Sequence, residues 1–327
     1  MNIHPDIINA AKVLDGGALT RQEALRIAGN VRGADLLDLI SLANKVRIRF
    51  APKFGACSII NAKSGRCAQN CRFCAQSAHY DTGIETYDLL APEQVLANAR
   101  EVLATGIATY GYVTSGYGYR KPDAEFRQIL ATIDLLRREL PQMKLCMALG
   151  ILSRECARLL AEHGVWRYNM NLQTNPARYA ELIADTHTIE DKIRTIHYLQ
   201  EFGVTNCTGG ILGLGENWED RVALACAIRD LDVEGITLNV LLPVPGTPVA
   251  KAPPLSPADA AKAFALFRLI NPHKMIKFCA GRETTMKDFQ ALLMLSGPSA
   301  LMTGGYLTTR GRQVADDLKL LDELADF

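Results

Sequence analysis

The sequence predicts an α/β fold of the (β/α)8 TIM-type barrel, with a helical extension at its N-terminus. Three observations lead there. From about residue 56, short apolar segments alternate with amphipathic helical segments eight times, the pattern of parallel strands joined by helical crossovers. A length of 327 residues suits one such barrel with an extension. No linker or low-complexity stretch interrupts the alternation. Residues 1–50 therefore read as the extension and residues 51–327 as a single barrel domain. An open, doubly wound sheet is the competing architecture.

The extension is helical by pattern. Thr20 and Glu23 form a capping-box signature, and Ala24, Leu25, Ile27 and Ala28 follow at helical spacing. Asp35 opens a second apolar helix. The expected role is a lid or base packed on the barrel. Strands are expected near 56–61, 107–114, 144–149, 166–172, 205–212, 235–242, 275–280 and 300–306. Helices are expected near 91–105, 123–139, 153–163, 188–202, 217–230, 256–270, 285–295 and 313–325. Ser153 and Ser256 are N-cap residues, while Gly106, Gly164 and Gly203 stop their helices.

Composition narrows the function. Apolar residues make up 48% of the chain, enough for a large core. The net charge of +1 gives no electrostatic case for nucleic acid or an anionic membrane. No secretory signal and no bilayer-spanning run is apparent. Nine cysteines, an odd number, predict a reducing cytoplasm and metal ligation rather than disulfides.

The chemistry centres on Cys67-Ala-Gln-Asn-Cys71-Arg-Phe-Cys74. Three thiolates at these spacings can hold three irons of a cubane cluster and leave the fourth iron open to a ligand. A zinc site would ordinarily add a second C-x2-C pair or histidines, and the chain has no second pair. This C-x3-C-x2-C spacing resembles the signature of the radical S-adenosylmethionine (SAM) enzymes. In that family the open iron binds SAM, and the reduced cluster cleaves it to a 5′-deoxyadenosyl radical.

In a barrel, chemistry gathers at the C-terminal ends of strands, and the motif follows the first strand. Cys57, Cys146, Cys207 and Cys279 fall on strands one, three, five and seven. Alternate strands feed one interior layer, so the four thiols are expected to converge on a second metal–sulfur site. Cys156 and Cys226 lie mid-helix and read as core. Asn169, Asn171 and Gln173 share a face of strand four, and Asn239 lies on strand six. Buried carboxamides need partners, so they read as a pocket for a neutral, amide- or urea-like ligand. The Gly209–Glu216 run offers close backbone approach and N–H groups. The loop from Pro243 to Pro248 could wall the site. Lys277, two residues from Cys279, needs an anionic partner if buried. His79, His163, His187, His197 and His273 show no ligand spacing and receive no role.

Five segments carry a more specific likeness: Ser64–Ser77, Tyr168–Thr174, Cys207–Glu216, Asn239–Pro248 and Cys279–Glu283. Together they resemble the biotin synthase family over nearly the whole chain. The resemblance implies that Cys67, Cys71 and Cys74 hold a SAM-cleaving [4Fe–4S] cluster. It implies dethiobiotin as substrate, its ureido ring held by Asn171 and Asn239 with Asn169 close by. Gly209, Gly210, Ile211, Gly213 and Glu216 would lie along SAM. Gln173 and Lys192 stand where the family usually has an acidic residue and an arginine near SAM. Sulfur would come from an auxiliary cluster, inserted between C6 and C9.

The family's familiar auxiliary site is a [2Fe–2S] cluster on three cysteines and an arginine. Here Cys146 and Cys207 match two of these cysteines, Tyr112 takes the place of the third, and Lys277 that of the arginine. Cys57 and Cys279 are additional, so an all-cysteine cluster of 4Fe type is expected, as in biotin synthases of anaerobes. The resemblance also implies a flavodoxin or ferredoxin as electron donor and a homodimer. A hydrogenase-maturase-like enzyme of the same subgroup and a plain electron-transfer protein are the alternatives.

Overall fold

The computed structural model describes residues 3–309 and 311–327. Eight parallel strands close into a barrel: β1 (Gly55–Lys63), β2 (Thr109–Thr114), β3 (Lys144–Ala148), β4 (Arg167–Asn169), β5 (Thr205–Leu212), β6 (Gly235–Val240), β7 (Met275–Phe278) and β8 (Ala300–Met302). Each strand pairs with the next, and β8 closes on β1 through Cys57 level with Met302. The barrel expected from the sequence is therefore present, and the open sheet is not.

The N-terminal segment forms α1 (Pro5–Ala10), α2 (Arg21–Asn30) and α3 (Asp35–Phe50). The Thr20–Glu23 capping box is formed: Glu23 N–H donates to Thr20 Oγ1 at 3.2 Å, and Thr20 N–H donates to Glu23 Oε2 at 2.9 Å. Barrel helices follow as α4 (Pro92–Ala104), α5 (Ala124–Glu139), α6 (Arg154–Glu162), α7 (Tyr179–Leu182), α8 (Ile189–Glu201), α9 (Trp218–Asp230), α10 (Pro257–Ile270), α11 (Gln290–Leu295) and α12 (Val314–Glu323). Helix α2 packs on α9 and α10, and α3 on α10. Buried Ile27, Leu39 and Val46 join the barrel's outer core there. Ser153 and Ser256 cap α6 and α10 as expected.

Several elements are shorter than expected. The strand expected at 166–172 stops at Asn169; beyond it the alternation runs on to Asn171, and Gln173 leaves it at φ 72°. The chain still follows β5, with Met170 N–H donating to the Cys207 carbonyl at 2.9 Å. Strand β7 ends at Phe278 and β8 at Met302, so Cys279 and residues 303–306 belong to loops. The helix expected at 285–295 is a 3-10 turn, Lys287–Phe289, followed by the short α11.

The loop after β7 is bolted to the C-terminal helix. Arg282 donates to both carboxylate oxygens of Asp317 on α12, at 2.9 and 2.8 Å. The two side chains are 1% and 0% exposed. Removing one member of a fully buried pair strands the other charge. Asp317→Ala is therefore expected to lower stability by about 3 kcal/mol and to speed amide exchange in residues 305–323. Unchanged exchange there would show that α12 is held by other contacts.

Candidate active site

The three-cysteine loop is folded by its own hydrogen bonds. Cys67 N–H donates to the Gln76 carbonyl at 3.0 Å and Ala78 N–H to the Cys67 carbonyl at 2.7 Å. Ser77 Oγ donates to the Gln69 carbonyl at 2.6 Å. Gly65 N–H donates to Gln76 Oε1, and Asn70 Nδ2 to Asp185 Oδ1, tying the loop to the barrel rim. All three thiols are half-buried. Burial pushes the Cys71 thiol up to about 12, with Lys192 opposing and the charges of Cys74 and Cys67 adding. Burial likewise pushes Cys74 up to about 11. Cys71 and Cys74 thus sit where they ionise only against strong positive charge, as iron provides.

Lys192, on α8, supplies positive charge beside Cys71. It is buried, and its Nζ donates to the Asn171 carbonyl at 3.1 Å. Burial lowers its pKa, and the Cys71 thiolate works against that shift. His187 comes to the same place: its Nε2 lies 2.7 Å from Tyr179 Oη and 3.9 Å from Cys71 Sγ. Burial holds His187 down at about 4, so it is neutral. His187 carries no ligand signature in the sequence, because 116 residues separate it from Cys71 and only folding joins them.

A second site lies inside the barrel. Cys57, Cys146, Cys207, Cys279 and Lys277 line one cavity of about 630 Å³, so the expected convergence of four thiols is observed. Burial pulls Lys277 down, but the thiolates of Cys57, Cys207, Cys279 and Cys146 outweigh it, and the ammonium stays charged. Burial pushes Cys146 up to about 12, with Cys207 adding and Lys277 opposing. Among the described residues, no three His, Cys, Asp or Glu side chains are close enough to grip a single metal ion. A cluster interposes several irons and sulfides, so its thiolates stand further apart. The donor set of each site fits a cluster.

Tyr112 is not in this cavity. It faces the helix layer, buried near Glu125 of α5. The β2 residues that face inward are Thr109, Gly111 and Val113, so Gly111, not Tyr112, stands opposite the thiols. A slip of one residue along a strand changes the face.

The carboxamides form the wall between the two sites. Asn169 Nδ2 donates to Asn171 Oδ1 and Thr237 Oγ1, each at 3.2 Å, and Thr237 Oγ1 donates to Asn171 Oδ1 at 2.6 Å. Asn239 donates to the Gly210 carbonyl and accepts from Ala280 N–H, both at 3.1 Å. Asn171 Nδ2 has no partner among the described residues. Gln173 departs from this group: it does not line the cavity, and its Oε1 is buried without a partner.

A larger cavity of about 920 Å³ begins at Phe73 and Cys74 beside the cluster loop. Its wall is largely apolar, with Ile211, Leu241, Leu242 and Val244, so the Pro243–Pro248 loop does wall the site. Asn239, Cys279, Met302, Tyr306 and Leu307 line both cavities, so the two adjoin across these side chains. Met302 and the 305–309 loop escaped the sequence reading, since nothing in their local pattern marks them.

The glycine run works differently from the expectation. A Cβ on Gly209 would lie 1.8 Å from the Thr237 carbonyl oxygen, so glycine there serves strand packing. The N–H groups of Gly213 and Leu214 are not free: both donate to Glu216, which also pairs with Arg221 at 2.8 Å. Ile211 alone of the run meets the cavity. Cys156 and Cys226 are buried on α6 and α9, as expected for core.

Comparison with known proteins defines the class first. Residues 62–225 match the Radical SAM superfamily, and residues 237–325 match the Biotin and Thiamin Synthesis associated domain. The chain is thus a radical SAM protein. It is 53% identical over 327 residues to a biotin synthase of Chlorobium phaeovibrioides, covering 99% of this chain and 98% of that one. A biotin synthase of Chlorobaculum tepidum is 50% identical at the same coverage. The chain belongs to the biotin synthase family. Methylornithine synthase shares the fold, with a TM-score of 0.84 at 16% identity over 96% of this chain and 95% of that one. A maturase of the [FeFe]-hydrogenase has a TM-score of 0.82 at 17% identity, over 98% of this chain and 74% of that one. These two show the fold alone. No helix among the described residues is long and apolar enough to cross a membrane.

Glu216 organises its loop from a side chain only 3% exposed. Glu216→Gln removes the charge facing Arg221 and is expected to lower stability by about 3 kcal/mol. The exposed neighbour change Glu219→Gln should be near neutral. Urea unfolding of both variants, under anaerobic conditions, makes the comparison.

Proposed function

We propose that this enzyme is a radical SAM sulfurtransferase that inserts sulfur between C6 and C9 of dethiobiotin to form biotin. The observation that carries the reading is the pair of adjoining cavities, one beginning at Cys74 and the other lined by the four interior thiols. When bound, the first cluster with SAM supplies a 5′-deoxyadenosyl radical for each hydrogen abstraction, and the auxiliary cluster supplies the sulfur atom.

The chain's own residues bind, orient and exclude water. Cys67, Cys71 and Cys74 would hold the first cluster, and three ligands from their loop would leave one iron for SAM. Lys192 lies on the SAM side, next to Cys71, with its ammonium ready for a carboxylate. Ile211 and Gln173 border that side, and Gly209, Gly210, Gly213 and Glu216 shape the backbone behind it. Asn171 offers its free amide N–H groups to the ureido carbonyl, with Asn169 and Thr237 fixing its orientation. Asn239, at the junction of the two cavities, marks the middle of the substrate's path. The apolar wall of Leu241, Leu242 and Val244 keeps water from a carbon radical.

Cys57, Cys146, Cys207 and Cys279 would hold the auxiliary cluster, more in keeping with a 4Fe than a [2Fe–2S] centre because the thiolate count is four. Lys277 balances part of its negative charge. The reduced donor is taken to be a flavodoxin or ferredoxin, the protein a cytoplasmic homodimer, and residues 51–327 its catalytic barrel.

Anaerobically reconstituted protein given SAM, a reductant and dethiobiotin should yield 5′-deoxyadenosine and biotin together. Deoxyadenosine without biotin would defeat the assignment. In Cys57→Ala/Cys279→Ala, iron and sulfide contents should fall to those of the first cluster. An intact [2Fe–2S] Mössbauer signature in that variant would refute the four-thiol site. Lys192→Met should weaken SAM binding about tenfold while leaving the iron content unchanged.

A further inference from the structure

The floor of the barrel carries charge that the reaction at the other end does not use. Cys57, Cys146 and Cys207 are each the third residue of their strands. Only one ring of inward-facing side chains lies beneath them, from strand-opening residues such as Thr109, Lys144, Arg167, Thr205 and Met275. In an ordinary barrel several packed layers fill the interior. Here the thiols lie one layer from the N-terminal face, and Thr109 of that layer already lines their cavity.

Two cations stand on this floor. The Arg167 guanidinium lies 4.0 Å from the centroid of the Trp166 ring, and Lys144 Nζ lies 5.1 Å from it. Arg167 Nε donates to Thr205 Oγ1 at 3.2 Å. Among the described residues neither cation has a carboxylate partner within salt-bridge distance; the ring's π face holds both without neutralising either. Nearby Glu234 is engaged by Asn206 N–H at 2.6 Å. Arg167 also reaches the thiols. The Cys207 Sγ, Met275 Cε and Arg167 Nη1 atoms stand 2.5, 2.8 and 3.8 Å from the point where a Gly235 Cβ would be. Glycine there is what lets the Cys207 sulfur and the Met275 methyl pack against the strand beside Arg167.

The proposed function creates a need for such a place. Each biotin formed removes one sulfur atom from the auxiliary site, so a sulfide-releasing reaction must resupply it. The upper mouth is apolar and faces SAM and substrate, and it is a poor route for a small anion. We propose that the barrel floor is the inlet for this sulfur, with Lys144 and Arg167 drawing hydrosulfide anion toward Cys146 and Cys207. The inference rests on the sulfur-donor reading above. Uncompensated positive charge at a narrow opening raises the local concentration and capture rate of anions, and salt weakens it.

The test is anaerobic reconstitution of the full-length apoprotein with ferrous iron and sodium sulfide, with Mössbauer spectra resolving the two clusters over time. Filling at the four thiols should slow about tenfold in Arg167→Gln and about threefold in Lys144→Gln. It should be near wild type in Arg167→Lys. Filling at Cys67, Cys71 and Cys74 should be equal in all four proteins, which separates an inlet from general instability. Raising the salt should slow auxiliary filling in the wild type but not in the doubly substituted protein. Equal auxiliary rates in every variant, or parallel slowing of both clusters, would overturn the inlet. If Arg167→Gln fails to fold, the exposed Lys144→Gln change and the salt dependence decide alone. A wild type that forms no cluster at the four thiols would instead overturn the auxiliary-site reading itself.

Discussion

A lysine ammonium inside a protein is costly unless negative charge surrounds it, and Lys277 shapes the interior of this barrel on that condition. Four thiols from four sides of the barrel ring it. The usual barrel fills its middle with branched aliphatic side chains. This one replaces them with sulfur, a charge and space. That choice hollows the interior, and the hollow meets the upper cavity where Asn239 and Cys279 line both. The carboxamide wall, the apolar mouth and the cluster loop are all arranged around that junction.

The fold was legible because its signal is repetitive. Eight apolar segments separated by amphipathic helices allow few architectures, and serine caps and glycine stops fixed most helix ends to within a residue or two. The parity of Cys57, Cys146 and Cys207 could be read because side chains on a strand alternate without exception until the backbone changes region. Gln173 shows where such reading fails. Its left-handed backbone ends the alternation, and nothing in the identity of a glutamine announces that. Tyr112 differs for another reason: the resemblance puts it at a ligand position, but strand parity turns it outward, and Gly111 beside it faces in.

Residues that owe their role to tertiary contact were beyond the sequence. His187 reaches Cys71 only through the packing of the loop before α8 against the cluster loop. Met302 and Tyr306 reach the cavity because β8 ends early and the chain turns inward. In the Gly209–Glu216 run, Gly209 admits the neighbouring strand, and Glu216 consumes the amides expected to be free.

The two metal centres are anchored in unlike ways, and this gives them unlike fates. One draws every ligand from a single self-bonded loop at the rim, so oxidation there can erase turnover while the body of the protein keeps its shape. The other draws its ligands from four walls of the barrel, and its decay leaves an interior cation facing bare thiols. A preparation damaged by air can therefore look intact by shape and solubility while being silent, and deeper damage will register as a softening of the whole barrel.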